Sequence, residues 1–179
     1  MFDEKEMAKL ITLKNEAVKA AKADPSKDGF ISFWDSHNAG FVREWGKKLE
    51  IVICYLLGMF TTVHDMDVIS TYEDDTKEGI DVRVAGVGIQ LKFRWDPEKL
   101  EALKKYLTWK GIVLACIRVK DDSGITSGIE IIRDMMIAAG VISEDEFDEL
   151  LDEEVLDEIE EVWAWFVSRP ILKKKEGIS

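Results

Sequence analysis

Ten consecutive residues, Ile51 to Phe60 (IVICYLLGMF), carry no charge. A stretch of this length is too short to cross a bilayer, which takes about 20 residues. From about Gly40 to Gly58 the pattern is helical, and its second half is too apolar for a surface strand. A helix that is apolar all round has to be buried. Glu50 stands at the head of this stretch, where a carboxylate is costly without a partner or a metal. Lys47, one turn earlier, offers the plain alternative of a paired residue on a polar rim.

The chain has 179 residues, which reads as a single domain over 1–179. Its first segment, MFDEKEMAKLITLKNEAVKAAKA, is charged and helix-periodic, unlike a signal peptide. Cys54 and Cys116 both sit in apolar runs without metal-ligand spacing, so both read as buried, reduced core residues. A cytoplasmic protein is expected. The net charge of -12 seems to argue against nucleic acid, yet residues 143–161 hold 12 acids and no Lys or Arg. Outside that segment basic and acidic residues balance, with 24 of each. A neutral body with local basic patches can bind a phosphate backbone.

Residues 3–23 read as a helix ending before Pro25, and 24–39 as a loop of Pro, Gly, Ser, Asp and Asn. Residues 63–70 (VHDMDVIS) read as a strand and TYEDDTKEG as a charged turn or loop. A hairpin follows over 80–84 and 87–94. Asp96 as N-cap and Pro97 at the first helical position open a helix whose buried face is Leu100, Leu103 and Leu107. GIVLACIRV (111–119) reads as an interior strand. A helix covers about 126–139, and another begins at Ser143, which with Glu146 has the spacing of a capping box. Phe147, Leu150, Leu151, Val155, Ile159, Trp163 and Phe166 mark its docked face, the other being acidic. The expected class is α/β: a core over 40–120 and a C-terminal helical extension with an acidic face over 126–166.

The hairpin, GIDVRVAGVGIQLKF, carries the chemistry. Ile89, Leu91 and Phe93 share one face of its second arm; Gln90, Lys92 and Arg94 share the other. With Ala85-Gly86 as a two-residue loop, Val84 pairs with Val87 and Asp81 lies opposite Gln90. A one-residue slip would set Asp81 against the apolar face, which the pattern penalises. Asp81, Gln90 and the Leu91 carbonyl suit a hard cation such as Mg²⁺, with Lys92 beside it. The plain alternative is a hairpin with one solvated face.

GKKLEIVICYLL, KEGIDVRV and GIQLKF, taken in this order, resemble the PD-(D/E)XK nuclease superfamily, which includes many restriction enzymes, Holliday-junction resolvases and RecB-type nucleases. The resemblance spans about residues 40–120. It implies a restriction endonuclease-like core: a helix, a three-stranded meander, a crossover helix and a fourth strand, here with extra helices at both ends. By motif, Glu50 is the helix acid, Asp81 the metal-bridging acid, Gln90 stands where Glu is usual, and Lys92 is the motif lysine. Ile80 replaces the family's Pro, and Gln90 supplies a neutral ligand.

The resemblance implies a metal-dependent deoxyribonuclease using Mg²⁺, with Mn²⁺ as a substitute. Asp81, Gln90 and the Leu91 carbonyl hold the ion; Glu50 binds a second ion or orients water; Lys92 positions the water or offsets charge. The partner is DNA, duplex or branched, and the family suggests a homodimer. Arg83 and Arg94 share the active face by period and could contact phosphate; the alternative for both is surface solvation or a salt bridge to Asp65 or Asp67. One of Asp65, Asp67, Asp74, Asp75 and Glu78 could assist a second metal. Lys99, Lys104, Lys105 and Lys110 could track a backbone; Trp34, Trp45, Trp95 and Trp109 read as packing residues, and His64 as structural. The acidic C-terminal helix could repel DNA from the wrong side or bind a basic protein partner. Two rival readings are a catalytically weak nuclease-fold protein used for nucleic-acid binding or assembly, and an α/β interaction domain with a coincidental motif.

Overall fold

The computed structural model describes residues 3–62, 66–93, 96–118, 120–121, 124–149 and 152–168. Arg94, Trp95, His64, Asp65, Leu150 and Leu151 lie outside them. Among the described residues no helix is long and apolar enough to cross a membrane.

The chain begins with α1 (Glu4–Ala23), whose N-cap Asp3 accepts a hydrogen bond from the Glu6 N–H. Next come α2 (Lys27–Ser36) and α3 (Trp45–Thr61). β1 (Val68–Ile69), β2 (Val82–Val84) and β3 (Val87–Lys92) form an antiparallel meander. The crossover helix α4 (Pro97–Lys110) leads to β4 (Val113–Cys116), parallel to β3. A small hairpin, β5 (Lys120–Asp121) and β6 (Gly124–Ile125), precedes α5 (Gly128–Ala138), α6 (Glu144–Glu149) and α7 (Glu153–Val167). The architecture is mixed α/β, mostly helical, around a four-stranded sheet of order β1-β2-β3-β4.

The apolar helix α3 is the centre of the core: every residue from Lys48 to Thr61 is buried. α1 packs along it with Leu10, Leu13, Ala17, Val18 and Ala21. The approach is close at Gly58, where a Cβ would lie 2.8 Å from both the Ala21 Cβ and the Val18 carbonyl oxygen. Gly58→Ala is therefore expected to force α1 outward and cost about 1–3 kcal/mol. Chemical denaturation would show this as a lowered midpoint, and an unchanged midpoint would mean that the helix pair yields freely.

One face of the sheet joins this core through Val82, Val84, Ile89, Leu91 and Ala115. The opposite face holds a small cluster of Ile80, Leu107 and Ile112, with Leu103 and Leu114 against it. Side-chain alternation turns Gln90 and Lys92 away from the main core, and both are half-buried.

Several expectations are corrected. Residues 24–39 are not a loop. Ser26 caps α2 by accepting the Gly29 N–H, and Phe30, Phe33 and Trp34 bury its inner face. Phe30 meets Tyr55 and Trp165 edge-on at 5.0 and 5.4 Å. Within the segment expected as a charged turn or loop, residues 74–78 form a wide π-helical turn. β4 is an edge strand, not an interior one. It is apolar because α4 and α5 both pack against it. Cys54 is buried as expected, but Cys116 at the end of that edge is exposed. Trp109 is 82% exposed, its ring beside that of Tyr106 on the surface rather than packed in the core.

The helix expected from Ser143 is two helices. Ser143 and Glu146 form the capping box of α6, each side chain accepting the other's backbone N–H. Asp152 then caps a second helix, α7, by accepting from Glu154 and Val155. Ile159, Val162, Trp163 and Phe166 bury its inner face. Part of its acidic face serves the fold: Glu158 accepts the Lys27 N–H at the start of α2, and Glu160 accepts the Ile129 N–H at the start of α5. Carboxylates complement helix N-termini.

Candidate functional site

Ala85 and Gly86 both have positive φ, 48° and 83°, as a tight two-residue hairpin turn requires. The turn fixes the register: Val84 faces Val87 and Val82 faces Ile89. The ladder ends there. Asp81 does not form the direct backbone pair with Gln90 that the register suggests. Its N–H donates to the Ile89 carbonyl at 2.9 Å, and its side chain takes over the next rung: Oδ2 accepts the Leu91 N–H at 2.7 Å. In a strand a residue's N–H and C=O point to the same edge. The Leu91 carbonyl is thus directed to the same side as the Asp81 carboxylate.

Glu50 reaches this point from α3 and is 5% exposed. Both of its oxygens are engaged. Oε1 lies 3.2 Å from the Lys14 ammonium and Oε2 lies 3.2 Å from that of Lys47. The expected Lys47 pair is present, but it does not place Glu50 on an exposed rim.

Asp75 comes from the π-helical turn, with Oδ2 2.9 Å from Lys14 Nζ. Lys14 itself is fully buried on α1. Its ammonium also donates to the Asp81 carbonyl at 2.7 Å, beside the Ser70 hydroxyl at 2.9 Å.

Glu50, Asp81, Gln90, Leu91 and Lys92 line one cleft of about 460 Å³, together with Lys47 and Trp45. The Trp45 indole N–H is buried with no acceptor among the described residues; its ring stacks on Phe166 with centroids 6.2 Å apart. Carboxylate oxygens of Glu50, Asp75 and Asp81 all lie within 4.8 Å of one another.

Burial, and then the charges of the neighbouring groups, set the electrostatics. Burial, then the charge of Glu50, pushes the Asp81 carboxyl up to about 7, although Lys14 and the Leu91 N–H pull the other way. Burial opposes the Lys14 charge, but Glu50 and Asp75 outweigh it and hold the ammonium above the ordinary lysine range. Lys47 is raised in the same way: burial opposes its charge and Glu50 overcomes it. Burial pushes the Cys54 thiol up to about 12, so it is an inert neighbour one turn along α3 from Glu50.

Arg83 stands apart from the cleft. Its Nε donates to Asp74 Oδ2 at 2.7 Å and its second nitrogen to Oδ1 at 3.1 Å. Its salt-bridge partner is Asp74, rather than Asp67; Asp65 lies outside the described residues. Arg94 lies outside the described residues.

Two site residues were not singled out from the sequence. Lys14 had a local signal, since it falls on the apolar stripe of α1 between Leu10 and Ala17. Asp75 had none that separates it from the neighbouring acids.

The donor set fits a hard cation. Three carboxylates, the Gln90 amide and the Leu91 carbonyl offer oxygen, and the nearby Cys54 sulfur is held as a neutral thiol by burial. Comparison with protein-family models, with curated proteins and with solved structures gave no match to this chain.

Proposed function

We propose that this protein is a metal-dependent deoxyribonuclease of the PD-(D/E)XK type, acting on duplex or branched DNA. The observation that carries the reading is the common cleft: Glu50, Asp81, Gln90 and Lys92 come from α3, the start of β2 and β3, yet line one cavity. The element order supports it as well. A helix, an antiparallel meander, a crossover helix and a parallel fourth strand follow one another as a restriction endonuclease-like core would.

In this reading Asp81, Gln90 and the Leu91 carbonyl hold Mg²⁺ or Mn²⁺. Such an ion lowers the pKa of a coordinated water and neutralises phosphate oxygens. Glu50, held by lysines on both oxygens, orients the attacking water. Lys92 brings a positive charge to the cleft and offsets the charge that develops on the phosphate.

A second reading, a nuclease-fold protein that binds nucleic acid without cutting it, draws support from Gln90, which is neutral, and from Lys14 and Lys47, which offset carboxylate charge. Incubating supercoiled plasmid and branched DNA with the full chain separates the two. Nicking with Mg²⁺ or Mn²⁺ that EDTA abolishes is expected. Binding without cleavage under every metal tried would favour the second reading.

A further inference from the structure

Lys14 raises a question that the chemistry of cleavage does not answer. An ammonium without solvent exposure is costly to bury unless every donor is satisfied. Here all of them are. Lysine has three donors, and they meet Glu50 Oε1 at 3.2 Å, Asp75 Oδ2 at 2.9 Å and the Asp81 carbonyl at 2.7 Å. The acceptors belong to the same three residues whose carboxylate oxygens gather within 4.8 Å. An ammonium so placed competes with a metal ion for the carboxylates of Glu50 and Asp75, while at Asp81 it holds the main-chain carbonyl and leaves the carboxylate to the cleft.

We propose that Lys14 is a built-in cation that fills one position of this carboxylate cluster and so limits the centre to a single divalent ion. The proposal rests on the metal-dependent reading above. Charge supports it. Lys14 and Lys47 already offset two of the three carboxylates, so one divalent ion overshoots local neutrality and a second would enter a positive site. Geometry supports it too. Lys14 engages Glu50 and Asp75 from the α1 side, while the Leu91 N–H occupies one Asp81 oxygen. Lys47 holds the second Glu50 oxygen. On the residues that line the cleft, Asp75 not among them, the oxygens left for an ion are the other Asp81 oxygen, the Gln90 amide and the Leu91 carbonyl. Lys14 is a positioning residue: it sets where Glu50 and Asp75 stand.

The test counts Mn²⁺ bound per full-length chain, by electron paramagnetic resonance of the free ion, in the wild type and in Lys14→Met. Thermal unfolding of both in EDTA and in millimolar Mn²⁺ accompanies it. One Mn²⁺ is expected on the wild type and two on the variant. In EDTA the variant should melt about 10 °C lower, because carboxylates are left buried without their cation. Most of that loss should return with Mn²⁺.

Two ions on the wild type would overturn the proposal, as would a variant that binds no more than the wild type and gains no extra stability from Mn²⁺. If the variant does not fold under either condition, the wild-type count decides: one ion supports the proposal and two refute it. No ion on the wild type but one on Lys14→Met would uphold Lys14 as the resident cation and end the metal-dependent reading. No ion on either would end both.

Discussion

Asp81→Asn is expected to remove cleavage and, at the same time, to stabilise the protein above neutral pH. The loss of activity should be at least about 10²–10³-fold, because in the proposed centre the substitution takes away the one charged ligand among Asp81, Gln90 and the Leu91 carbonyl. The gain in stability follows from burial and from the repulsion of Glu50, which hold this carboxyl up to about 7 against an ordinary 3.8. Between those values the folded protein keeps a proton that the unfolded chain has released. Stability contributed at this position is therefore present at low pH and is lost as pH rises toward 7. An asparagine oxygen can still accept the Leu91 N–H. At pH 8 the variant should gain about 1–2 kcal/mol, a few degrees in Tm. At pH 4 the gain should vanish, since Asp81 is then protonated in the folded wild type. Melting curves at the two pH values, with a cleavage assay, check both halves. An active variant would remove Asp81 from the metal centre, and a variant less stable at pH 8 would refute the charge crowding.

Lys92→Ala should leave the fold and metal binding intact and still lower cleavage by about 10²–10³-fold. The side chain is half-buried and lines the cleft, while its backbone carries the sheet, its carbonyl accepting the Ile117 N–H at 2.8 Å. Truncation to alanine spares that bond. The expected signature is a fall in kcat with an unchanged Mn²⁺ affinity and an unchanged melting curve. Undiminished cleavage would take Lys92 out of the mechanism, and a large loss of stability would make it a structural residue.

What could be read from the sequence was local chemistry. The cap at Asp96-Pro97, the capping box of Ser143 and Glu146 and the hairpin turn at Ala85-Gly86 each depend on residues within a few positions. The buried helix around Glu50 was legible because its apolar run leaves few other options. The rest depended on distant partners. The π-helical turn has no buried residue of its own, and Asp75 is held by Lys14, 61 positions away. α2 was hidden by its Gly and Asp content, although Phe30, Phe33 and Trp34 already had helical spacing. β4 read as interior because helices cover it, and edge or interior position is a property of the whole sheet. Asp81 was found by pattern, but its side-chain rung on Leu91 was not, since nothing in the alternation says where a ladder stops.

The cleft beside β3 is proposed as a divalent-cation centre. The most direct measurement is an anomalous difference map from crystals soaked in Mn²⁺. A strong peak bonded to Asp81, Gln90 and the Leu91 carbonyl is expected, with Lys14 still in contact with Glu50 and Asp75. No peak in the cleft at saturating Mn²⁺, or peaks confined to the acidic surface of α6 and α7, would contradict it.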